Sequence, residues 1–251
     1  MFIFFFMLKR NFIFLVALAA IVGSVNAQVR PGLKLGYNYG GISANYLGRE
    51  KPNDFSTNAG DPNNFGMKSG FQGGFIADCP INDVWAIQPG ARFAMQGFTD
   101  RYRNAADNLR TFSFYYLQVP VYAQYRLNFA EDANVLFQAG PYAEFGLFGR
   151  QSWSRGGNSQ DLNDNEKKKT FGSGNDIQER FSYGLGFGAG IEFYRFQLMV
   201  AYDFGLNQST LKMDNIRTKS GTYHVDMRNH NFSITLAVIF GRRDPLQNQR
   251  D

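Results

Sequence analysis

The stretch Asn229-His230-Asn231-Phe232-Ser233-Ile234-Thr235-Leu236-Ala237-Val238-Ile239-Phe240-Gly241 constrains this chain most strongly. A β-strand sends successive side chains to opposite faces. Phe232, Ile234, Leu236, Val238 and Phe240 therefore share one face, and Asn231, Ser233, Thr235 and Ala237 the other. Such strict alternation cannot be read as a helix.

The same period of two recurs along the chain. It predicts eight strands, over 30–42, 69–79, 84–98, 111–127, 134–149, 180–194, 195–207 and 230–241. Most exceed the roughly 9–11 residues with which a tilted strand crosses a bilayer. Their connections alternate in length. Those at 80–83, 128–133 and 194–195 are short, whereas 43–68, 99–110, 150–179 and 208–229 are long and polar. An even-stranded up-and-down barrel places its short turns at one end and its long loops at the other.

Before the first strand, Lys9 and Arg10 precede an apolar run from Phe12 to Val22, and Val25-Asn26-Ala27 supplies small residues at the −3 and −1 positions of a cut before Gln28. This predicts a secretory signal peptide over 1–27. Met7 begins a tidier leader than Met1, and either start fits. The residue directly after the cut is Gln28 rather than Cys, which argues against a lipid anchor. Loss of Lys9 and Arg10 lowers the formal charge from +5 to +3, too small an excess to indicate nucleic acid. No later run of roughly 18 apolar residues predicts a spanning helix.

A soluble sandwich or lipocalin-like barrel gives similar alternation with its apolar face inward. Three features favour a membrane barrel instead. The polar faces carry long side chains such as Gln88, Arg92, Gln118, Gln138 and Glu144. The connections differ systematically between the two ends. Aromatic residues gather near strand ends, among them Tyr37, Tyr39, Trp85, Phe98, Tyr125, Phe129, Phe193, Tyr194 and Phe240. The expected fold is an all-β, eight-stranded, antiparallel up-and-down transmembrane barrel over 28–241, with a tail at 242–251 on the periplasmic side. On this reading Leu117, Val119 and Val121 face lipid while Tyr116, Gln118 and Tyr122 face the lumen. Val121→Arg or Leu236→Arg is then expected to be more damaging than Gln118→Arg.

The expected lumen holds both charge signs. Lys34, Gln88, Arg92, Arg126, Glu144, Glu192 and Asp203 are predicted to form a polar network in it. Arg92, Glu144 and Asp203 are expected in the outer half, and Lys34, Arg126 and Glu192 nearer the periplasm. An eight-stranded barrel is filled by side chains, so these charges should pair rather than line an open channel. The alternating Gly184, Gly186, Gly188 and Gly190 lack the Lys-Ser/Thr ending of a phosphate loop and should leave room for side chains from opposite strands.

Other chemistry is weakly specified. Cys79 cannot form an internal disulfide and reads as a small buried residue at a strand end. His230 and Ser233 are three apart, hence on opposite strand faces. His224 stands two residues before Asp226 with nothing to complete a triad. The 161–166 segment, with Asp161, Asn163 and Asn165, has oxygen ligands at alternate positions but Glu166 where a calcium loop needs Gly. Lys167-Lys168-Lys169 follows and could meet anionic lipopolysaccharide. No catalytic residue, cofactor or metal is expected.

Several segments resemble the PorT-type outer-membrane β-barrel domain family of Gram-negative bacteria. Pro31-Gly32-Leu33-Lys34-Leu35-Gly36-Tyr37-Asn38 is similar to its opening Gly-x-Lys-x-Gly-x-Asn strand. Tyr116-Leu117-Gln118-Val119-Pro120-Val121 resembles its Tyr-Leu-Glu-(Ile/Val)-Pro-Leu signature, with Gln in place of Glu. Ile87-Gln88-Pro89-Gly90 is similar to a third strand motif. The resemblance implies an integral outer-membrane protein, one of whose named relatives supports type IX secretion. The expected partners are outer-membrane lipid, lipopolysaccharide and envelope or secretion-complex proteins, with the barrel itself monomeric and non-enzymatic. A lipid-modifying enzyme and a narrow pore stay open as alternatives.

Overall fold

The computed structural model describes residues 29–46, 65–101, 109–130, 132–155, 158–161, 171, 179–207, 216–218, 221–223 and 225–241. The leader at 1–27, the tail at 242–251, the Lys167–Lys169 run, the 162–166 part of the acidic segment and His224 lie outside the described residues.

Eight long strands carry the architecture: β1 (Arg30–Tyr46), β2 (Phe65–Pro80), β3 (Trp85–Arg101), β4 (Leu109–Ala130), β5 (Ala133–Arg155), β7 (Phe181–Phe193), β8 (Phe196–Gly205) and β11 (Val225–Ile239). All pair antiparallel with their sequence neighbours in the barrel, and β1 closes on β11 through a register running from Gly32↔Ile239 to Tyr46↔Val225. The pairing of β4 with β5 completes the circle, so no long strand keeps a free edge.

Three short strands lie in connections that the sequence marks as loops. β6 (Asn158–Asp161) adds to β5, and β9 (Ile216–Thr218) pairs with β10 (Gly221–Tyr223). Six of the eight long strands, all but β7 and β8, also overrun their expected bounds at the long-connection end. β2 begins at Phe65 rather than 69, β5 runs to Arg155 rather than 149, and β11 starts at Val225 rather than 230. Beyond the bilayer both faces of a strand meet water, so pairing continues where apolar alternation stops.

The faces are inside-out relative to a soluble domain. Leu35, Phe71 and Phe75 are each 69% exposed, and Leu117, Val119, Phe187, Leu198, Ile234 and Leu236 also point outward. An apolar surface this continuous around a closed sheet fits hydrocarbon, not water. Aromatic side chains band its rims. Trp85 packs on Tyr125 at 4.9 Å and Phe193 on Tyr194 at 4.6 Å near the short turns. Tyr115 stacks on Phe148 at 4.4 Å nearer the other end.

Local chemistry sets the short turns. Asn82 Oδ1 accepts from the backbone N–H groups of Val84 (3.0 Å) and Trp85 (2.6 Å), closing the turn between β2 and β3. Tyr194 takes φ 53° in the two-residue link from β7 to β8. Its hydroxyl bonds the Asp132 carboxylate, which raises the phenol above its ordinary pKa. Pro89, Pro120 and Pro141 sit within barrel strands and lack an N–H to donate. The ladder keeps one register from Pro89↔Val121 to Arg92↔Gln118, although the paired positions lapse between them.

Leu236 faces outward at the middle of the β1–β11–β8 seam, opposite Leu35 and Leu198. Leu236→Arg is expected to destabilise the barrel by about 2–4 kcal/mol. Urea folding titrations in lipid vesicles measure this cost.

Candidate functional site

Opposite parity to the apolar belt places a second set of side chains in the lumen. Among the described residues the buried charged groups are Arg30, Lys34, Arg92 and Arg126 against Asp78, Glu144, Glu192 and Asp203. Four cations thus face four anions inside the wall. Burying unpaired ions costs several kcal/mol each, to order of magnitude, so electroneutrality is a condition of folding here.

The ions form two clusters. Near the short turns, Asp78 receives Arg30 Nε at 3.0 Å and Nη2 at 2.5 Å on one oxygen, while Arg126 Nη2 bonds the other. Arg126 Nη2 also donates to Gln124 Oε1 at 3.1 Å and lies 3.8 Å from Glu192 Oε2. Glu192 accepts from Gln197 Nε2 at 2.6 Å, and Gln197 Oε1 accepts from Gln88 Nε2 at 3.2 Å.

The second cluster sits farther in. Arg92 Nη2 meets Asp203 Oδ2 at 2.6 Å, and Arg92 Nε bonds Gln118 Oε1. Tyr122 donates to Asp203 Oδ1 at 3.0 Å. Above them, Gln96 Nε2 donates to Glu144 Oε2 at 3.5 Å. Lys34 belongs beside this cluster rather than with Arg126 and Glu192, which corrects the expected grouping. Lys34 and Arg92 flank Gly74 on its two neighbouring strands, and both line one small cavity with Gln88 and Tyr122. Counting residues from a turn ignores the tilt of barrel strands, and tilt is what brings Lys34 level with Arg92.

Three of the seven expected network residues, Arg126, Glu192 and Gln88, fall in the first cluster, and Lys34, Arg92, Glu144 and Asp203 lie in or around the second. Arg30, Asp78, Gln118, Tyr122 and Gln197 complete the bonding but were not expected as members. Arg30 shares the parity of Lys34, and Asp78 that of Gln72 and Gly74, so strand parity carried the signal. Both stand at strand ends, where alternation is easily discounted.

Gln118 is fully buried and accepts from Arg92. Gln118→Arg therefore sets a second cation against Arg92, which removes the reason to expect it to be mild.

The glycine row of β7 is a cradle. A Cβ on Gly186 would lie 2.6 Å from both Asp203 Oδ1 and Tyr122 Oη, and one on Gly184 would lie 2.6 Å from the Tyr142 ring and hydroxyl. A Cβ on Gly190 would meet Met199 Sδ at 2.5 Å. The nearest side chains come from the adjacent β5 and β8 and from Tyr122 of β4, two strands away, which corrects the expectation of side chains from opposite strands.

The outer third of the lumen is lined largely by rings, with Gln151 buried opposite Phe112 and Asn229 beside Tyr116. Phe98, Phe112, Phe114 and Tyr116 all turn inward and are buried, with Phe98 stacked on Phe112 at 4.5 Å. Read along β4, the inward row passes from Phe112 and Phe114 through Tyr116, Gln118 and Tyr122 to Gln124 and Arg126. Rings therefore line one end and ions the other.

The remaining candidates are separated. His230 stacks on Tyr202 at 6.2 Å on the outer side of the wall, whereas Ser233 is buried inside. Cys79 is buried next to the end of β2. Among the described residues no three His, Cys, Asp or Glu side chains gather in a way that could hold a metal.

A closed sheet of eight strands with an apolar belt outside and an electroneutral ionic core inside defines an integral outer-membrane β-barrel protein. The chain belongs to the outer membrane protein beta-barrel domain family, whose model matches residues 24–211. The structure carries the barrel past that match, because β11 closes the sheet. No curated protein matches the chain. Similar solved structures include Ail, the attachment invasion locus protein of Yersinia pestis, at 15% identity and TM-score 0.37, covering 85% of this chain and 99% of that one. OprG from Pseudomonas aeruginosa is 13% identical with TM-score 0.45, covering 85% and 97%. Neisserial surface protein A is 14% identical with TM-score 0.39, covering 84% and 97%.

Breaking one ion pair should cost more than removing both partners. Asp203→Leu leaves Arg92 uncompensated and is expected to lose about 3–5 kcal/mol, with Arg92→Met on the same chain recovering most of it. A double-mutant cycle from urea titrations tests this, and purely additive losses would count against the pairing.

Proposed function

We propose that this protein is a closed, non-enzymatic outer-membrane barrel whose role is structural or binding. It presents four long connections to the exterior and contacts lipopolysaccharide and envelope proteins through them. The observation that carries this reading is the lumen. Among the described residues two ionic clusters and an aromatic layer succeed one another along it, and the cavities beside Lys34 and Arg92 and beside Phe98 and Tyr116 measure about 10 Å³ each, room for roughly one water. A wall this filled supports anchoring and display better than conduction.

Orientation follows the convention of bacterial barrels, with short turns toward the periplasm and long loops outward. The leader 1–27 is removed on export, the barrel occupies 28–241, and 242–251 remains in the periplasm. The PorT-type strand motifs at Gly32–Asn38, Tyr116–Val121 and Ile87–Gly90 support a partner among envelope secretion or assembly proteins, with the barrel acting as a monomer. The separation of His230 from Ser233 supports the absence of lipid hydrolysis.

Planar-bilayer recording on the purified protein tests the reading against a pore. The expected record is free of discrete conductance steps, and a reproducible ohmic step would replace the binding role with transport. N-terminal sequencing of the membrane-extracted protein is expected to begin at Gln28. Phospholipid hydrolysis lost specifically in His224→Ala would instead establish an enzyme.

A further inference from the structure

Among the described residues, one in the lumen does not come from the barrel wall. Phe171 lies within the long connection at 150–179, yet its side chain is buried among the inward rings. It meets Phe114 edge-on at 5.5 Å and Tyr116 edge-on at 5.7 Å. Its ring rests on Gly146 of β5, where any Cβ would overlap it. Arg180 Nη2 donates to the Phe171 carbonyl at 3.3 Å, and the Arg180 carbonyl accepts from Gly146 N–H at 2.6 Å.

These contacts describe a seat for a flat ring. Gly146 supplies a bare floor on one side, and Phe114 and Tyr116 supply edges or faces on the other, the arrangement aromatic pairs prefer. Phe98 and Phe112 extend the apolar lining. The Gln96 amide, on the residue paired with Phe114, donates to the Glu144 carboxylate two residues from Gly146, and these are the polar groups next in line for one substituent on such a ring. Below them the Arg92–Asp203 cluster blocks further passage.

We propose that this cup is a binding site for a small planar aromatic molecule carrying one hydrogen-bonding group, and that Phe171 is the chain's own occupant of it. The ring is held by contacts that another ring can reproduce, and it arrives on a connection rather than on a strand. A ligand enters from the long-connection end, displaces Phe171 and goes no deeper. The site makes the barrel a receptor for such molecules rather than a conduit. This assignment rests on the closed-lumen reading above.

The test titrates p-cresol, a single ring with one hydroxyl, into the full-length protein folded in detergent. Wild type, Phe171→Ala and the Gly146→Leu/Phe171→Ala double variant are compared by calorimetry, each first shown to be folded by circular dichroism. Saturable binding is expected in wild type. A site occupied by its own side chain most of the time shows an affinity reduced by the open fraction, so Phe171→Ala should bind about tenfold tighter or more. The double variant should not bind, because the leucine side chain fills the seat. A second readout uses Phe171→Trp, whose emission should move to the red as p-cresol displaces the indole.

Binding in Phe171→Ala alone, with none in wild type and no emission shift, would make Phe171 a permanent plug and overturn the proposal. Equal uptake in all three proteins would reduce it to partition into detergent and overturn it as well. Bilayer recording on Phe171→Ala separates the two levels of argument. A closed record keeps the parent reading whatever p-cresol does, whereas open steps would sink that reading even if the cup binds.

Discussion

Backbone hydrogen bonding in a medium that offers none is the constraint on which the rest of the structure depends. Every amide in the bilayer must find its partner within the protein, and a sheet achieves this only by closing. Here the closure is the β1–β11 ladder, reinforced where Phe240 N–H donates to the Pro31 carbonyl at 2.7 Å, while on the other side of β11 Ile239 N–H donates to the Arg195 carbonyl at 2.8 Å. Gly241, just past the final strand, takes φ 99°, a conformation open to glycine and costly to other residues. Once the circle is closed, strand parity assigns each side chain to lipid or to lumen, and no residue can change face without shifting a whole register.

The lumen then poses its own problem. Eight strands leave too little space for a water column, so charges placed there by parity must neutralise one another. The structure does this in two steps along the axis, with Asp78 shared between Arg30 and Arg126 at one level and Asp203 shared between Arg92 and Tyr122 at the next. Glycines on β7 give those large groups room. Toward the long connections an aromatic layer follows, where a ring from outside the wall, Phe171, packs against Phe114 and Tyr116.

The eight strands, their antiparallel order and the facing of β4, β7, β8 and β11 were legible because hydrocarbon and lumen impose opposite demands at alternate positions. Strand ends were not, since beyond the membrane that contrast vanishes, as at Phe65 and Val225. The lumen charges were legible one by one through parity. Their partners were not, because tilt decides which residues share a level, and it moves Lys34 toward Arg92. Phe112 and Phe114 were hidden for a related reason. In β4 they follow the same parity as Gln118 and Arg126, but an apolar side chain at a lumen position gives no contrast against the lipid face. Phe171 has no strand pattern around it at all, and only the fold reveals where its ring goes.

The central claim is a closed barrel folded in the outer membrane, and gel mobility of the extracted protein tests it most directly. Membrane fractions run in detergent at low temperature should give a compact, fast-migrating band that moves to the position of the unfolded chain on boiling, as expected when a hydrogen-bonded circle resists detergent until heated. A protein that leaves the cells in soluble form and migrates alike before and after boiling would contradict the account, and the two faces of every strand would have to be exchanged.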